Sequence, residues 1–405
     1  MAPIVAPSAA PIPRAQLWTA GFVLVCLANM LGYGSNLLLS PIMPLYVESL
    51  GGTPFVAGLM ISAFSVLSFI LRPLMGHLTD RWSVRGTLGL GSGIIGVLGL
   101  AFLVPGLLVA FPANAIRGIG WGALNTAGSA AAALLVPQSR RAEGSGYYLA
   151  SSTIASAFAP AIALWLLAGT GQFSHIFILA GALGIGGAAA TLRLPRAGAG
   201  STSLWDALKP RGRLSLESFV ERRVLLCSAL VMAVTATTPA LSAFIPTYAF
   251  SLGVENIGLY YIVAGLSSIS SRLVLGRWVD RGSRGVWLLG GYGSLIVGFA
   301  ILANTSSLQG FLLAAIATGL GQSLVQTSLM ALAIDLSEKA RMGKAMATFS
   351  MFYRLGEGIG APIAGALIQG FGFQAMYYGA IVSILGGVAY AAYNWRVVGR
   401  GPEPR

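Results

Sequence analysis

The sequence predicts an all-α membrane protein in which twelve transmembrane helices form two pseudo-symmetric bundles of six helices each. Three features carry this prediction: the hydropathy, the positions of the basic residues and an internal repeat. The chain of 405 residues is 56% hydrophobic and only 9% charged, and its mean hydropathy is +0.78. A soluble protein of this length could not cover so much apolar surface with so few charges. Apolar stretches long enough to cross a hydrocarbon core of about 30 Å recur along the whole chain.

The hydropathy divides the chain into spans and polar connections. We predict spans near residues 17–47, 53–75, 87–104, 107–133, 144–167, 172–192, 223–250, 257–276, 286–304, 308–332, 345–369 and 373–394. The longest polar stretch separates the sixth span from the seventh. The predicted organisation is therefore a disordered cytoplasmic tail at 1–16, a six-helix bundle at 17–192, a cytoplasmic linker at 193–222, a second six-helix bundle at 223–394 and a cytoplasmic tail at 395–405.

The basic residues are distributed unevenly between the two sides of the membrane. Of the 25 Lys and Arg residues, Arg72, Arg117, Arg272 and Arg354 lie well inside predicted spans, and Arg223 stands at the first residue of the seventh. All others lie at the termini or in the even-numbered connections, and the odd-numbered connections contain none. Because Lys and Arg are retained on the cytoplasmic side, both termini are expected to be cytoplasmic. This placement explains the net charge of +13 without a nucleic-acid partner.

The two predicted bundles repeat each other in sequence. With an offset of about 200 residues, matching segments are 43–46 and 245–248, 72–81 and 272–281, and 118–126 and 319–327. Six spans per repeat in the same orientation is typical of transporters built from two bundles, in which the substrate site lies at the midplane between the halves.

Several of these segments carry a family resemblance. The chain resembles the major facilitator superfamily over nearly its whole length, and GHLTDRWSVRG, residues 76–86, is similar to the signature loop between the second and third helices of that family. Ser83 and Val84 depart from the signature. The resemblance implies the fold of that family and a cytoplasmic gate at the matching positions and their repeats, which are Gly76, Asp80, Arg81, Arg85, Gly276, Asp280 and Arg281.

Other segments resemble particular members of the family. Residues 117–122 are similar to a helix-4 signature that is common in proton-coupled members, and residues 136–160 and 340–362 are similar to bacterial exporters of drugs, sugars or metallophores. This resemblance implies efflux by an antiporter, as a functional monomer, in the bacterial cytoplasmic (inner) membrane. One departure argues against antiport, because Ala159 and Ala163 stand where the helix-5 antiporter motif has glycine.

Polar residues repeat at helical spacing on the first, fourth, seventh and tenth spans. Such spacing places each set on one helical face, and in the family these helices line the central cavity. The predicted substrate-cavity residues are Asn29, Tyr33, Asn36, Trp121, Asn125, Thr235, Thr238, Gln322 and Gln326. The alternative is that these side chains only hydrogen-bond between helices, which contributes about 0.6 kcal/mol per contact on average.

Ionisable residues within the membrane are costly and are often functional. Glu357 is predicted to lie near the midplane, and Arg354 stands one turn before it. With Arg117, these residues are the predicted coupling group. The alternatives are that Glu357 and Arg354 form a permanent ion pair and that Arg117 binds backbone carbonyls. We expect Arg72 and Arg272 to extend towards the interface.

The predicted function is secondary active transport of a small organic solute by alternating access, coupled to protons and directed outward. The excess of arginine within the spans favours an anionic or zwitterionic solute, so the alternative is uptake or facilitated transport of an organic anion or zwitterion. A more remote alternative is a non-transporting membrane scaffold. The sequence contains neither a nucleotide-binding P-loop nor a recognisable catalytic set, so we expect no enzymatic activity, cofactor or metal.

Overall fold

The computed structural model describes residues 17–194, 204, 221–338 and 341–399. Within these residues all regular structure is helical. The predicted tail at 1–16, most of the predicted linker at 193–222, and residues 400–405 of the predicted C-terminal tail lie outside the described residues.

The first half of the chain folds into eight α-helices that make six spans. They are α1 (Ala20–Leu39), α2 (Met43–Ser49), α3 (Pro54–Ile70), α4 (Arg72–Arg81), α5 (Val84–Ala101), α6 (Leu107–Leu135), α7 (Arg141–Thr170) and α8 (Phe173–Thr191). The first span consists of α1 and α2, and the second consists of α3 and α4. A short 3₁₀ helix, Gln138–Arg140, precedes α7.

The second half has the same order of spans. Its helices are α9 (Leu225–Thr235), α10 (Thr238–Ser242), α11 (Ile245–Ser251), α12 (Gly258–Arg281), α13 (Arg284–Asn304), α14 (Leu308–Asp335), α15 (Met342–Phe371), α16 (Phe373–Tyr393) and α17 (Trp395–Val398). The seventh span is divided among α9, α10 and α11. A 3₁₀ turn, Arg222–Val224, leads into α9.

Length and composition identify most of these spans as membrane-crossing. Ten helical segments of the described chain are long and apolar enough to cross a membrane, and the count is eleven if the bent pair of α3 and α4 forms one span. The helix α15 is outside that set, although its 30 residues are long enough. It carries Lys344, Arg354 and Glu357, which reduce its hydropathy.

Glycine residues bring the helices of each half into close contact at equivalent positions. A Cβ atom added to Gly91 on α5 would lie 2.6 Å from the backbone nitrogen of Leu124 on α6. In the second half, a Cβ atom added to Gly291 on α13 would lie 3.0 Å from the backbone nitrogen of Val325 on α14. Small residues permit such approach in membranes, where packing replaces the hydrophobic effect as the main attraction between helices.

The two halves approach each other closely at one end of the molecule. We call this the distal end, and the end that carries residues 17 and 399 the terminal end. Gly58, five residues into α3, leaves no room for a Cβ atom because the carbonyl oxygen of Ala361 on α15 occupies that position. On the other side of the molecule, a Cβ atom added to Gly258 on α12 would lie 3.2 Å from the backbone of Ala161 on α7. Both contacts lie towards the distal end, so the halves are joined there.

Candidate functional site

Arg117 lies at the centre of a buried polar network in the first half. Its side chain on α6 is almost completely buried. One guanidinium nitrogen donates to the Asn114 side-chain oxygen at 2.8 Å, and another donates to the Asn36 side-chain oxygen at 3.0 Å. Asn114 in turn donates to the carbonyl oxygen of Met60 at 2.9 Å. Arg117 therefore ties α1, α3 and α6 together, which favours a structural contribution from this predicted coupling residue.

Aromatic rings also surround the Arg117 guanidinium. It lies 6.0 Å from the ring centroid of Phe64 and 5.6 Å from that of Phe102. Such cation–π contacts stabilise a guanidinium that has left water. The sequence analysis did not identify Asn114 or Phe64; the i−3 spacing of Asn114 from Arg117 was the available signal for the first.

Asn29 differs from the other predicted cavity residues of α1. It is 1% exposed, and its amide nitrogen donates to the Ser151 hydroxyl at 2.9 Å and to the Tyr148 carbonyl oxygen at 3.4 Å. Both partners belong to α7. This geometry supports the alternative of an interhelical hydrogen bond rather than contact with a substrate.

Tyr33, Trp121 and Asn125 form a polar and aromatic wall. The Tyr33 hydroxyl donates to the Asn125 side-chain oxygen at 2.5 Å, and the Asn125 amide donates to the Trp121 carbonyl oxygen at 2.9 Å. The rings of Tyr33 and Trp121 are 4.5 Å apart at their centroids. Tyr33 and Asn125 are partly exposed, so this wall borders accessible space.

An ion pair on α15, in the second half, lies next to this wall. On α15, an Arg354 guanidinium nitrogen lies 2.5 Å from a Glu357 carboxylate oxygen, and the two side chains are only 18% and 17% exposed. The Arg354 guanidinium lies 5.4 Å from the ring centroid of Trp121 on α6 and 5.7 Å from that of Tyr353. The cation–π contact with Trp121 crosses from one half of the molecule to the other.

Arg72 adds a second guanidinium to the same region. It lies within electrostatic range of the Arg354 guanidinium and the Tyr33 hydroxyl. Arg72 is the first residue of α4, which follows α3 after a bend of 44°, and its side chain is partly buried. Its extension towards the interface stays a prediction. Arg272, its equivalent in the second half, donates to the Gln326 side-chain oxygen at 3.2 Å and lies near Tyr353.

Among the described residues, no hydrogen bond joins the remaining predicted cavity residues of the second half to the ion pair. The Thr235 hydroxyl donates to the Val231 carbonyl oxygen at 3.0 Å within its own helix and packs against Gly356. Thr238 and Gln322 are partly exposed. Among the described residues, Gln326 accepts a hydrogen bond from Arg272, which lies near Tyr353.

The predicted gate residues lie at the terminal end. Gly76 is on α4, Asp80 is exposed near the end of that helix, and Arg81 is its last residue. Arg85 at the start of α5 donates to the Leu194 carbonyl oxygen at 3.0 Å, next to the end of α8. Gly276, Asp280 and Arg281 belong to the described backbone of α12, whereas their side chains lie outside what the structure describes. Nearby, Arg284 pairs with Asp335 at 3.3 Å, a contact that the sequence analysis did not anticipate.

Comparison with known proteins identifies the family to which this arrangement belongs. The model of the Major Facilitator Superfamily matches residues 25–309 and 273–405. The chain belongs to the Major Facilitator Superfamily. This result confirms the family resemblance and the all-α membrane fold predicted from the sequence.

Relatives of this major facilitator include proteins named as exporters. It is 21% identical over 365 residues to the staphylopine export protein of Staphylococcus aureus, a match that covers 88% of this chain and 91% of the relative. It is 25% identical over 377 residues to the multi-drug resistance efflux pump PmrA of Streptococcus pneumoniae, with 89% and 92% covered.

Solved structures of other transporters share the fold of this major facilitator. A transporter of the POT family in complex with a thioalcohol-conjugated peptide superposes with a TM-score of 0.74 at 14% identity, covering 93% of this chain and 96% of the other. The human organic anion transporter MFSD10 (TETRAN) superposes with a TM-score of 0.64 at 18% identity, covering 92% and 98%. At these identities the likeness establishes the fold alone.

Proposed function

We propose that this major facilitator exports a small organic solute in exchange for protons and that Glu357 carries the proton. The observation behind this proposal is the ion pair between Arg354 and Glu357, which is largely removed from water and touches Trp121 of the other half. Proton exchange at Glu357 would therefore act where the two halves meet.

The direction of transport rests on the relatives and on the location of the basic residues. Two relatives that cover most of the chain carry the names of an exporter and an efflux pump. If both termini are cytoplasmic, the distal end faces away from the cytoplasm. The joined distal end then corresponds to an inward-facing state of a protein in the bacterial inner membrane, in which solute enters the cavity from the cytoplasm.

Alternating access follows from the contacts between the halves. The distal contact of Gly58 with Ala361 closes one side, whereas Arg354 and Trp121 touch near the middle. For solute to leave, the distal contacts must open and the terminal end must close. A change in the charge of Glu357 alters the electrostatic environment of Arg354, and thereby the contact that joins the halves.

A transport assay with a proton readout tests this proposal. Inside-out membrane vesicles that contain the protein would be acidified by respiration and then exposed separately to organic anions, metallophores, sugars and lipophilic drugs. At least one class should cause release of protons from the vesicles. Glu357→Gln should abolish this release. Glu143→Gln is the matched control, because Glu143 pairs with Arg140 on an exposed surface.

A solute that enters the vesicles with unchanged proton release from the Glu357→Gln variant would contradict the proposal. The complete absence of solute movement for every class would instead support a non-transporting scaffold.

A second candidate is uptake or facilitated transport of an organic anion or zwitterion. The excess of arginine over acidic residues within the spans favours a solute that carries negative charge. Right-side-out vesicles distinguish the two directions, because an importer accumulates solute when the exterior is made acidic and a proton-exchanging exporter does not.

A further inference from the structure

Arg117 is a buried cation without an acidic partner in the described part of the chain. It stands ten residues after the start of α6, which places it about 15 Å from the distal end, near the middle of the hydrocarbon core. Only 2% of the residue is exposed, and no ion pair joins it to a described acid. A charge at such a depth is costly. An anionic group bound to Arg117 would therefore remove a large part of this cost.

One hydrogen bond of Arg117 fixes the direction of its guanidinium. Nη1 donates to the Asn114 side-chain oxygen at 2.8 Å, and Asn114 is itself held by its bond to the Met60 carbonyl oxygen at 2.9 Å. Asn114 lies one turn before Arg117 on the same helix and is only 4% exposed. This clamp leaves the edge of the guanidinium that carries Nε and Nη2 for a partner outside α6.

The edge formed by Nε and Nη2 is only half used. Nη2 donates to the Asn36 side-chain oxygen at 3.0 Å, whereas the Nε–H is buried and has no hydrogen-bond partner among the described residues. Because the guanidinium is planar, the two N–H groups on this edge match the two oxygens of one carboxylate. An amide has a single oxygen. Asn36 therefore places one neutral acceptor on an edge that a carboxylate would fill with two charged ones.

Asn36 connects this edge to accessible space. Its side chain is partly exposed, in contrast to that of Arg117. Within the described chain, the bond from Arg117 is the one hydrogen bond that holds the Asn36 side chain. A bond to a neutral acceptor has about half the strength of a bond between two charged groups. A carboxylate that enters from the cavity is therefore able to displace the Asn36 oxygen.

Aromatic rings determine what else the ligand carries. The Arg117 guanidinium lies 6.0 Å from the Phe64 ring centroid, and that ring lies 6.4 Å from the ring of Trp121. Trp121 in turn lies 4.5 Å from Tyr33 in the wall that borders accessible space. The rings thus extend from the guanidinium to the cavity. Aromatic faces bind aromatic and apolar groups, so an anion with an aromatic or apolar body matches the region.

We propose that Arg117 binds the carboxylate of the transported solute through Nε and Nη2, and that Asn36 gives up its place on this edge when the solute binds. The solute is then an organic anion with an apolar or aromatic body, which lies against Tyr33 and Trp121. An ammonium group is not required. This inference rests on the proposed function in one respect, because the ligand is taken to be the solute that is transported.

Three probes of nearly equal shape test the preference for a carboxylate. They are 3-phenylpropanoate, its neutral amide 3-phenylpropanamide, and the cation 3-phenylpropylamine. Binding to the full-length protein in nanodiscs would be measured by calorimetry and by the rise in Tm at about pH 7.5, where the acid and the amine are both ionised. The carboxylate should bind at least about ten-fold more tightly than the amide. The amine should not bind.

Substitutions of Asn36 separate ligand binding from a structural contribution. Asn36→Asp places a tethered carboxylate on the Arg117 edge, so it should raise the Tm without probe and weaken 3-phenylpropanoate by about ten-fold or more. Asn36→Ala removes the competing oxygen and should tighten 3-phenylpropanoate by about five-fold, the effect of one neutral hydrogen bond. A hydrogen bond that only holds helices together would give no tightening in Asn36→Ala.

Two further variants test the charge and the shape of the site. Asn125→Asp is the matched control for added charge, because Asn125 bonds Tyr33 and Trp121 in the same wall. It should weaken 3-phenylpropanoate far less than Asn36→Asp. Arg117→Lys keeps the positive charge but loses the planar pair of donors, so it should weaken 3-phenylpropanoate by about ten-fold. If Arg117→Lys does not fold, the Asn36 variants still decide the question.

The proposal is overturned if the amide binds as tightly as the carboxylate, if none of the three probes binds, or if Asn36→Asp binds 3-phenylpropanoate as tightly as the unmodified protein. None of these results affects the exchange of protons at Glu357, which the vesicle assay measures separately. Conversely, tight binding of 3-phenylpropanoate with unchanged proton release from Glu357→Gln refutes the proposed exchange and leaves the carboxylate site at Arg117 standing.

Discussion

The second and eighth spans have matching sequences but different structures. Each contains an arginine four residues before a glycine, at Arg72 and Arg272. The second span is divided at Leu71 into α3 and α4 with a bend of 44°, whereas α12 is continuous from Gly258 to Arg281. This difference shows that an internal repeat can preserve the order of the spans while the two copies differ in helix geometry and contribute differently to the functional site.

A single residue accounts for this difference. Pro73 follows Arg72, and Leu273 stands at the equivalent position of the eighth span. Proline cannot donate the helical hydrogen bond and its ring clashes with the preceding turn, so it bends or ends a helix. Between the first and seventh spans it is the second-half copy that is interrupted: Pro239 is the second residue of the short helix α10, whereas α1 continues through Leu37 at the equivalent position.

The largest expected effect is on the free energy of unfolding when the ion pair between Arg354 and Glu357 is broken. The first half has no charged residues at the equivalent positions. At the equivalent positions of the first half, α7 has Ser152 and Ala155. Arg354→Ala should lower the free energy of unfolding by about 3–5 kcal/mol, because it leaves the Glu357 carboxylate unpaired and largely buried. Ser152→Ala should have little effect. Chemical denaturation in detergent measures both.

The same experiment has an internal check. Adding Glu357→Gln to Arg354→Ala removes the unpaired charge and should restore much of the lost stability. Equal instability of the single and double variants would show that the charge is not the cause.

The second prediction compares glycines at the start of the second and eighth spans. Gly58→Ala should destabilise the joined distal end by about 1–3 kcal/mol because its methyl group collides with the Ala361 carbonyl oxygen. Gly258→Ala should cost less than about 1 kcal/mol, since its nearest backbone contact allows a small adjustment. A cysteine introduced at Ser62, which lies beside Gly358 at this interface, should be labelled faster in Gly58→Ala. Equal labelling in both variants would contradict the asymmetry between the spans.

The third prediction removes the bend itself. Pro73→Leu gives the second span the residue of the eighth, so the helix should continue and turn Arg72 away from Arg354. Solute-driven proton release in the vesicle assay should slow by about ten-fold, equivalent to about 1.4 kcal/mol. Pro160→Ala is the control, because Pro160 lies within the continuous helix α7. Unchanged release in Pro73→Leu would show that transport does not depend on the bend.

The smallest effect concerns the predicted gate at the terminal end. Asp80→Asn should shift the population towards the inward-open state by about five-fold, and Asp280→Asn should shift it less. The measurement is the accessibility of cysteines introduced at the terminal end. An unchanged labelling pattern in Asp80→Asn would argue against a latch at this aspartate.

Much of the polar chemistry was visible in the sequence. The i+3 spacing of Arg354 and Glu357 predicted their pairing, because such residues are neighbours on a helix. The helical spacing of Asn29, Tyr33 and Asn36 placed them on one face. It did not show that Asn29 bonds to Ser151 on α7, since that depends on which helix packs against it.

The sequence by itself determined the membrane class, the positions of the spans and the repeat, because hydropathy and charge placement act through the local chain and the bilayer. Only the tertiary structure decided which side chains meet across the two halves. Trp121 and Arg354 are more than half the chain apart in sequence, and their contact depends on the packing of α6 and α15. The hydrogen bond between Arg272 and Gln326 likewise depends on how α12 packs against α14, which no local pattern specifies.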